Sequence, residues 1–567
     1  MKYQLRSKID GNIIDNLLFY RGMKTLEEKE KFLNPDYEKH IHNPFLLKDA
    51  EKSAKRIIKA IENNEKIVIY SDYDADGIPA GVILHDLFKK IGFNNFINYI
   101  PHRHDEGFGL NNDAIEQFAN DKVDLIITLD CGIGDIEAVK LARQKEIDVI
   151  ITDHHEPHRT EDGKGEILPP AFAIVDHKQK DCDYPEKILC GSGVAFKLVQ
   201  AILQINRFNL KEGQEKWFLD MVGLATLSDM VPLTGENRVF ASYGLKVIKK
   251  SPRKGLMRLF HHLNINQKHI NEDDIAFMIT PRINAASRMG VPMDAFNLLS
   301  TDNDDEAYRY VEHLDHINNE RKGTVASLVK EVKKIIKERY TENPRNVIVA
   351  GNPEWKPSLV GLVANTCAEE FSKPVFLWGR DGDGVIKGSC RSGGTVSVVD
   401  IMHKVPTGVM LQYGGHFASG GFSIADEAIH HLEDHLNSAF DLLVKDNKKD
   451  GVEIEPEYID SELTLDDINW NFYEKIDKLA PFGIGNKKPV FIFNDIKIAG
   501  IKEFGKEKNH LELSFKDNNV KAIGFFLSKD SFNKLIKIGD KISLIANIEK
   551  SMFRGSAELR LRIVDII

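Results

Sequence analysis

From Lys66 the chain carries four short β-branched apolar runs, KIVIYSDYDADG, VDLIITLDCGIGD, IDVIITDHHEPH and AFAIVDH, separated by stretches whose apolar residues recur at helical spacing. Runs of this kind alternating with helices predict a parallel α/β sheet. Each run ends on a carboxylate, at Asp72, Asp130, Asp153 and Asp176. Four acids should therefore gather at the C-terminal edge of the sheet, where open α/β sheets bind ligands. Between Tyr308 and Tyr340 the apolar positions Val311, Leu314, Ile317, Val325, Leu328, Val329, Val332, Ile335 and Ile336 describe one long amphipathic helix. Past Pro344 the run NVIVAG opens a second, smaller α/β unit holding the glycine-rich stretches GSCRSGG (388–394) and GGHFASGG (414–421). After the charged segment VKDNKKDGVEIEPEYID, alternating segments such as VFIFNDIKIAGI, HLELSFK, VKAIGFFL, KISLIANIEK and ELRLRIVDI predict about five strands, the pattern of an OB-type β-barrel. The expected division is 1–305, a connecting helix at 306–340, a second α/β domain at 341–448 and a barrel at 456–567.

Composition narrows the class. A chain of 567 residues exceeds what one core supports. With 42% hydrophobic and 29% charged residues it reads as a soluble globular protein and not as a rod, a collagen-like array or a disordered chain. The N-terminal stretch lacks an apolar signal region and no apolar run is long enough to cross a bilayer, so the expectation is a cytoplasmic protein with no membrane partner. Five cysteines without C-x-x-C spacing suggest neither a disulfide framework nor structural zinc. A net charge of −10 argues against indiscriminate coating of nucleic acid and leaves room for a locally basic groove.

The chemistry gathers at the strand ends. Asp72, Asp74 and Asp76 alternate on a turn closed by Gly77 and offer hard oxygen ligands suited to Mg²⁺ or Mn²⁺. An EF-hand would begin the same way, but its twelfth position falls on Ile83 instead of a bidentate Glu, and the run follows a strand instead of a helix. A solvated acidic turn is the bland alternative. Asp153-His154-His155 at the end of another strand weakens it, because two imidazoles beside a carboxylate can supply one ligand and one group for substrate. Asp130 ends the strand between them and could bridge two ions; Asp229, in GLATLSDMVPL, ends a helical stretch. Two divalent ions roughly 3.5–4 Å apart in such a set would activate water for in-line phosphoryl displacement. A zinc protease would need H-E-x-x-H, which is absent.

DYDADG, LDCG, the DHH triplet and SDMVPL together resemble the DHH phosphoesterase superfamily, and within it the RecJ family. The likeness runs almost end to end, through RGMKTLEEKEKFLNP, PHRHDEGFGL, DMVPLTGENR, PRINAASRMG, a DHHA1-like GGHFASGG and PFGIGNKKPVF at the entry to the barrel. It implies a DHH domain joined by the long helix to a DHHA1 domain and followed by an OB-fold. It further implies a single-strand-specific 5′-to-3′ exodeoxyribonuclease of recombination and repair, using two Mn²⁺ or Mg²⁺ ions. By the same resemblance Asp74, Asp76, Asp130, His154 and Asp229 are metal ligands, Asp72 and Asp153 supporting carboxylates, and His155 faces the scissile phosphate. Arg103, Asn284 and Arg288 would line the DNA path, with Arg391, Ser392 and His416 gripping phosphate. The implied partners are single-stranded DNA, a single-strand-binding protein and a helicase, and the implied state is a monomer.

The chain departs from the family pattern at Asp176-His177, where V-N-P is usual after Val175, at Lys356-Pro357-Ser358 after Trp355, and at Ser287; none of these removes an implied ligand. Asp176 and His177 are expected on a surface loop. Lys502, Lys506, Lys508 and Arg554 beside Phe504, Phe525, Phe526 and Phe553 give the barrel a basic-plus-aromatic composition suited to single strands, although barrel core is the first expectation for most of these rings. The basic run KVIKKSPRK (246–254) reads either as a phosphate contact or as a solvated helix end. Two rival functions remain: a DHH hydrolase of short oligonucleotides or small phosphodiesters, which would lack the barrel, and a non-catalytic single-strand-binding replication scaffold, which would have lost ligands.

Overall fold

The structure is a computed structural model and describes residues 3–9, 11–160, 165–340, 344–380, 384–394, 396–449, 456–505, 508–516, 518–532, 535–551 and 557–567. By compactness the chain divides into two units: Asn43–Asp229 with Gly244–Ile454, and Met1–His42 with Met230–Tyr243 and Glu455–Ile567.

In the larger unit the sheet consists of β1 (Ile67–Ser71), β2 (Phe96–Tyr99), β3 (Leu125–Leu129), β4 (Asp148–Thr152) and β5 (Ala173–Val175); the four β-branched runs supply all but β2, which the sequence pattern does not single out. They make one all-parallel sheet in the order β2-β1-β3-β4-β5. Every residue of β1 and β3 is buried, as a parallel sheet covered on both faces requires. The connection direction reverses between β1 and β3, which opens a crevice at their C-terminal ends. Ser71 stands opposite Leu129, Leu129 opposite Thr152, and Thr152 opposite Val175. The next residues along the four strands are Asp72, Asp130, Asp153 and Asp176, so the expected row of carboxylates exists and is in register.

Around this edge stand α1 (Gly77–Ile91), α2 (Gly191–Ile205), α3 (Leu219–Ser228) and α4 (Thr280–Met289). The long helix α5 runs from Asp304 to Tyr340. Its first half buries Val311, Leu314 and Ile317, and its second half sends Val332 and Ile336 into another core together with residues of β6 (Ile348–Gly351), β7 (Val375–Arg380) and α6 (Pro357–Phe371). With β8 (Ile386–Arg391), β9 (Met410–Gly415) and β10 (Ser419–Ile424) these strands form a sheet in the order β9-β10-β8-β7-β6, in which β6 and β7 are parallel and the other pairs antiparallel. The basic run at 246–254 is tied into the fold: the buried Arg253 guanidinium pairs with Asp220 at 2.7 Å and Asp86 at 2.6 Å, and Lys254 pairs with Asp304 at 2.5 Å.

In the smaller unit β11 (Phe491–Phe504), β12 (His510–Phe515), β13 (Asn518–Phe525), β14 (Lys541–Ser551) and β15 (Glu558–Ile566) follow the order β11-β12-β13-β15-β14. β14 pairs back onto β11, which closes a five-stranded barrel of the OB type. Its core holds Phe491, Phe493, Leu511, Leu513, Leu544 and Leu561. Phe504 and Phe525 are not part of that core, and Phe526 is exposed, which corrects the expectation that these rings fill the barrel. Lys506, Phe553 and Arg554 lie outside the described residues.

The first 42 residues, expected with the catalytic domain, group instead with the barrel. Leu17, Leu18 and Phe32 share a core with Leu479. Arg21 donates to the Asn486 side chain at 2.9 Å, Arg238 donates to the carbonyls of Phe32 at 2.6 Å and Leu479 at 3.0 Å, and Tyr3–Leu5 pairs in parallel with Glu457–Ile459.

Candidate metal centre

Each acid of the row is set by its local backbone. The Asp72 amide continues the β1 ladder onto the Leu129 carbonyl at 3.1 Å. Asp74 Oδ1 accepts the amides of Asp76 (2.7 Å) and Gly77 (3.1 Å) and so starts α1. The Asp76 carboxylate sits on the N-terminus of α2, where the amides of Gly191 and Ser192 donate at 2.6 and 2.7 Å and the Ser192 hydroxyl donates to the Asp76 carbonyl at 2.7 Å. Unsatisfied amides at a helix start are suited to hold an anion. Asp130 adopts a left-handed backbone, φ 64°, with its amide on the Thr152 carbonyl at 2.9 Å. Gly191 is required beside it, because a Cβ there would lie 2.3 Å from Asp130 Oδ1.

The two histidines are oriented differently. His154 Nδ1 lies 3.1 Å from the Leu189 carbonyl, which can only accept, so Nδ1 carries the proton. Its Nε2 then turns a lone pair toward Asp130 Oδ1 at 3.1 Å, Asp76 Oδ2 at 3.8 Å and Asp229 Oδ2 at 4.0 Å. Asp229 reaches this point as the residue that caps the C-terminus of α3. Asp153 spends its oxygens on the turn: Oδ1 accepts the amides of His154 and His155 and the His155 Nδ1 at 2.7 Å, and Oδ2 accepts the Ile133 amide at 2.9 Å. That anchor leaves His155 Nε2 for another partner.

Ligand atoms converge in three overlapping groups, each within 4.8 Å: Asp72, Asp74 and Asp130; Asp76, His154 and Asp229; and Asp130, His154 and His155. Asp72 therefore stands among the potential ligands and not behind them. Charge is concentrated here. Burial and then Asp74 push the Asp72 carboxyl well above the ordinary range; burial and then Asp76 do the same to Asp130; Asp229 rises to about 9 through burial and the charges of Asp76 and Asp74. Burial would also raise Asp153, but the His155 hydrogen bond, the charges of His155 and His154 and the Ile133 amide together outweigh it and hold that carboxyl low; burial opposes the His155 cation, yet the hydrogen bond and charge of Asp153 raise the imidazole to about 9. The donor set fits a hard divalent cation. Oδ1 of Asp72 and of Asp130 is buried without a hydrogen bond, and the facing lone pairs of Asp130 and His154 repel unless a proton or cation sits between them.

Asp176 and His177 are not on a surface loop. Both are fully buried, and Asp176 Oδ2 and both His177 ring nitrogens make no hydrogen bond. Burial and then Asp153 raise the Asp176 carboxyl to about 8, and burial lowers the His177 imidazole to about 3. The loop is drawn inward by Lys187, which donates to the carbonyls of His177 and Cys182, and by Gln179, which bridges the carbonyls of Ile174 and Asp176.

Four of the six expected DNA contacts line one cleft of about 360 Å³: Arg103, Arg288, Arg391 and His416, walled by Gly361, Gly388, Gly415, Gly420 and Gly421. Arg103 lies 4.8 Å over the ring of Tyr73, between Asp72 and Asp74 in sequence, which brings the cleft beside the acids. Arg288 crosses from α4 to α6 by donating to the Ser358 carbonyl. Its pKa falls to about 9, first through burial and then through Arg103 and Arg321. Asn284 instead braces the acidic turn, its Oδ1 accepting the Ala75 amide at 2.9 Å. Ser392 is buried and holds the Gly394 amide at 3.0 Å. Gly191, Ser192 and the Leu189 carbonyl are site groups that sequence reasoning misses. The signal is present in CGSGVAF, a glycine-rich entry to a helix. Sequence reasoning also misses Phe108, an exposed ring edge-on to Tyr73 and His155.

A parallel sheet with a switch-point crevice, a carboxylate–imidazole cluster and a facing arginine cleft defines a metal-dependent phosphoesterase of the DHH type. Family profiles match as the DHH family N-terminal domain over residues 66–226, the DHHA1 domain over 345–445 and the RecJ OB domain over 459–565. The chain is 31% identical over 557 residues to the single-stranded-DNA-specific exonuclease RecJ of Bacillus subtilis (strain 168), covering 98% of this chain and 67% of the relative. It is 29% identical over 573 residues to its namesake from Haemophilus influenzae, covering 98% and 96%. The crystal structure of RecJ in complex with Mn²⁺ from Thermus thermophilus matches with a TM-score of 0.77 at 25% identity, over 98% of this chain and 76% of that one. The chain belongs to the RecJ family.

Proposed function

We propose that this chain is a single-stranded-DNA-specific exonuclease that hydrolyses phosphodiester bonds with Mn²⁺ or Mg²⁺ as cofactor. The observation that carries the reading is the overlap of three ligand groups on Asp130 and His154 at the switch-point edge. Asp72, Asp74 and Asp130 would hold one ion, and Asp76, His154 and Asp229 a second. When bound, such ions would supply an activated water and positive charge for the phosphate.

The chain's own groups do the rest. Asp153 fixes the His155 ring so that Nε2 can meet the scissile phosphate. Arg103, Arg288, Arg391 and His416 bind and orient phosphates in the cleft, where guanidinium groups give charge-assisted hydrogen bonds. The glycine wall keeps side chains out of that path, and Asn284 holds the acidic turn in place. The complete ligand set disfavours the non-catalytic scaffold, and the barrel disfavours a hydrolase of small phosphodiesters. We assign 5′-to-3′ polarity, a cytoplasmic monomer, and a single-strand-binding protein and a helicase as partners on the family likeness. Among the described residues no helix is long and apolar enough to cross a membrane.

End-labelled DNA and RNA oligonucleotides of both polarities, single-stranded and blunt duplex, digested with Mn²⁺ test the reading. Release of mononucleotides from single-stranded DNA alone is the expected result. Equal degradation of duplex removes single-strand specificity, and preference for RNA removes the DNA assignment.

A further inference from the structure

The segment 101–110 leaves the end of β2, leads into the helix Asn112–Asn120 and carries two side chains that stand beside the acids. Arg103 lies over the Tyr73 ring and lines the arginine cleft, and Phe108 meets Tyr73 and His155 edge-on, with centroids 6.3 and 5.7 Å away. Neither side chain belongs to a helix or strand. Two carboxylates fasten the segment, and both are outside the cleft lining and the three ligand groups.

Glu106 closes the turn that presents Arg103. Its amide donates to the His102 carbonyl at 2.8 Å and its Oε2 accepts the His102 amide at 2.6 Å, so residues 103–105 form a short loop tied at both ends. Oε1 accepts the Tyr99 hydroxyl and, at 3.2 Å, the side-chain amide of Asn111, which joins the turn to the end of β2 and to the cap of the following helix. Asp135 fastens the far end: its Oδ2 accepts the Leu110 amide at 2.7 Å, and Gly109, at φ 80°, makes room, since a Cβ there would lie 2.4 Å from that oxygen. His104 Nε2 lies 3.2 Å from the carbonyl of Arg288, the second arginine of the cleft. Three donors meet the two oxygens of Glu106, a demand that an acceptor-only group satisfies.

We infer that Glu106 is a positioning residue for phosphate binding: it acts through Arg103, holding the turn 102–106 so that the guanidinium stays in the cleft, and touches neither substrate nor metal. The inference rests on the single-strand nuclease reading above.

The test uses the full chain in EDTA, so that nothing is hydrolysed, and reads binding of labelled oligo(dT) by fluorescence anisotropy. Glu106→Ala should weaken binding roughly tenfold, and Glu106→Gln, whose oxygen can still accept the His102 amide, should recover most of the loss. In an Arg103→Ala background Glu106→Ala should cost little more, because the two changes remove one interaction. Undiminished binding by Glu106→Ala, a Gln variant no better than Ala, or equal losses in both backgrounds would each overturn the inference, the last by marking an effect on the fold and not on Arg103. Hydrogen exchange without DNA gives a second readout: amides of 101–110 should exchange roughly tenfold faster in Glu106→Ala while those of β1 and β3 keep the parent rate, and unchanged exchange removes Glu106 as the holder of the turn. Digestion with Mn²⁺ is read separately. A parent chain that binds single strands without hydrolysing them removes the nuclease reading and leaves the role of Glu106 standing; one that binds none removes the single-strand reading, and exchange alone then decides whether Glu106 holds the turn.

Discussion

His154 Nε2 stands 3.1 Å from Asp130 Oδ1 because the other ring nitrogen is committed to the Leu189 carbonyl. Asp130 is also shared by two of the three ligand groups. Asp130→Ala should therefore cut Mn²⁺-dependent hydrolysis by about a thousandfold or more. Binding of single-stranded DNA in EDTA should persist, because the arginine cleft does not include Asp130. Near-normal turnover in this variant would remove Asp130 from the centre.

Gly191 gives a subtler handle on the same oxygen. A methyl group there would sit 2.3 Å from Asp130 Oδ1 and must displace it, while the helix start that holds Asp76 stays intact. Gly191→Ala should weaken Mn²⁺ binding roughly 10- to 100-fold, the range seen when groups that orient ligands are disturbed. Titration calorimetry of the purified variant reads this directly, and unchanged affinity would show that the site accommodates the methyl.

Arg253 distinguishes fold from nucleic-acid binding in the basic run. Its buried guanidinium answers Asp220 and Asp86, and removing one partner of a buried ion pair costs about 3–5 kcal/mol. Arg253→Met should lower the unfolding free energy by that order, measured by urea denaturation. The salt dependence of DNA binding should keep its slope; a shallower slope would place Arg253 on phosphate instead.

Asp176 and His177 give opposite pH dependences. The folded state holds a proton on Asp176 up to about 8, whereas the unfolded chain loses it near the ordinary 3.8, so this group's contribution falls as pH rises through that window. His177, lowered to about 3, contributes stability that is lost as pH falls below the ordinary 6.5. Between pH 6.5 and 8 only Asp176 of the pair titrates. There the stability of Asp176→Asn should decline with pH more gently than that of the parent chain, by up to about 1.4 kcal/mol per pH unit. Parallel stability curves for the two proteins would contradict this.

What was legible in the sequence is what depends on neighbours along the chain. The strands at Ile67–Ser71, Leu125–Leu129 and Asp148–Thr152 announce themselves by unbroken β-branched runs, and parallel pairing then puts Asp72, Asp130 and Asp153 on one edge. The long helix is written in its spacing. What failed depends on distant segments. The burial of Asp176 and His177 comes from Lys187 and Gln179 folding the loop inward, and no hydrophobic pattern records that. Ser392 belongs to a glycine motif whose sequence does not show which hydroxyl serves the turn and which side chain faces the cleft. Phe526 sits in an alternating strand pattern that implies a buried partner, and only its left-handed backbone takes it out.

The shared core of Leu17, Leu18, Phe32 and Leu479 sets an order on biogenesis. During synthesis the leading segment emerges first and must wait for most of the chain to be made before its partner leaves the ribosome. Contacts of such separation form late, and apolar surface exposed meanwhile is prone to aggregate. The larger unit carries its own core and can close earlier, so the core that Leu17, Leu18 and Phe32 share with Leu479 is expected to form after it.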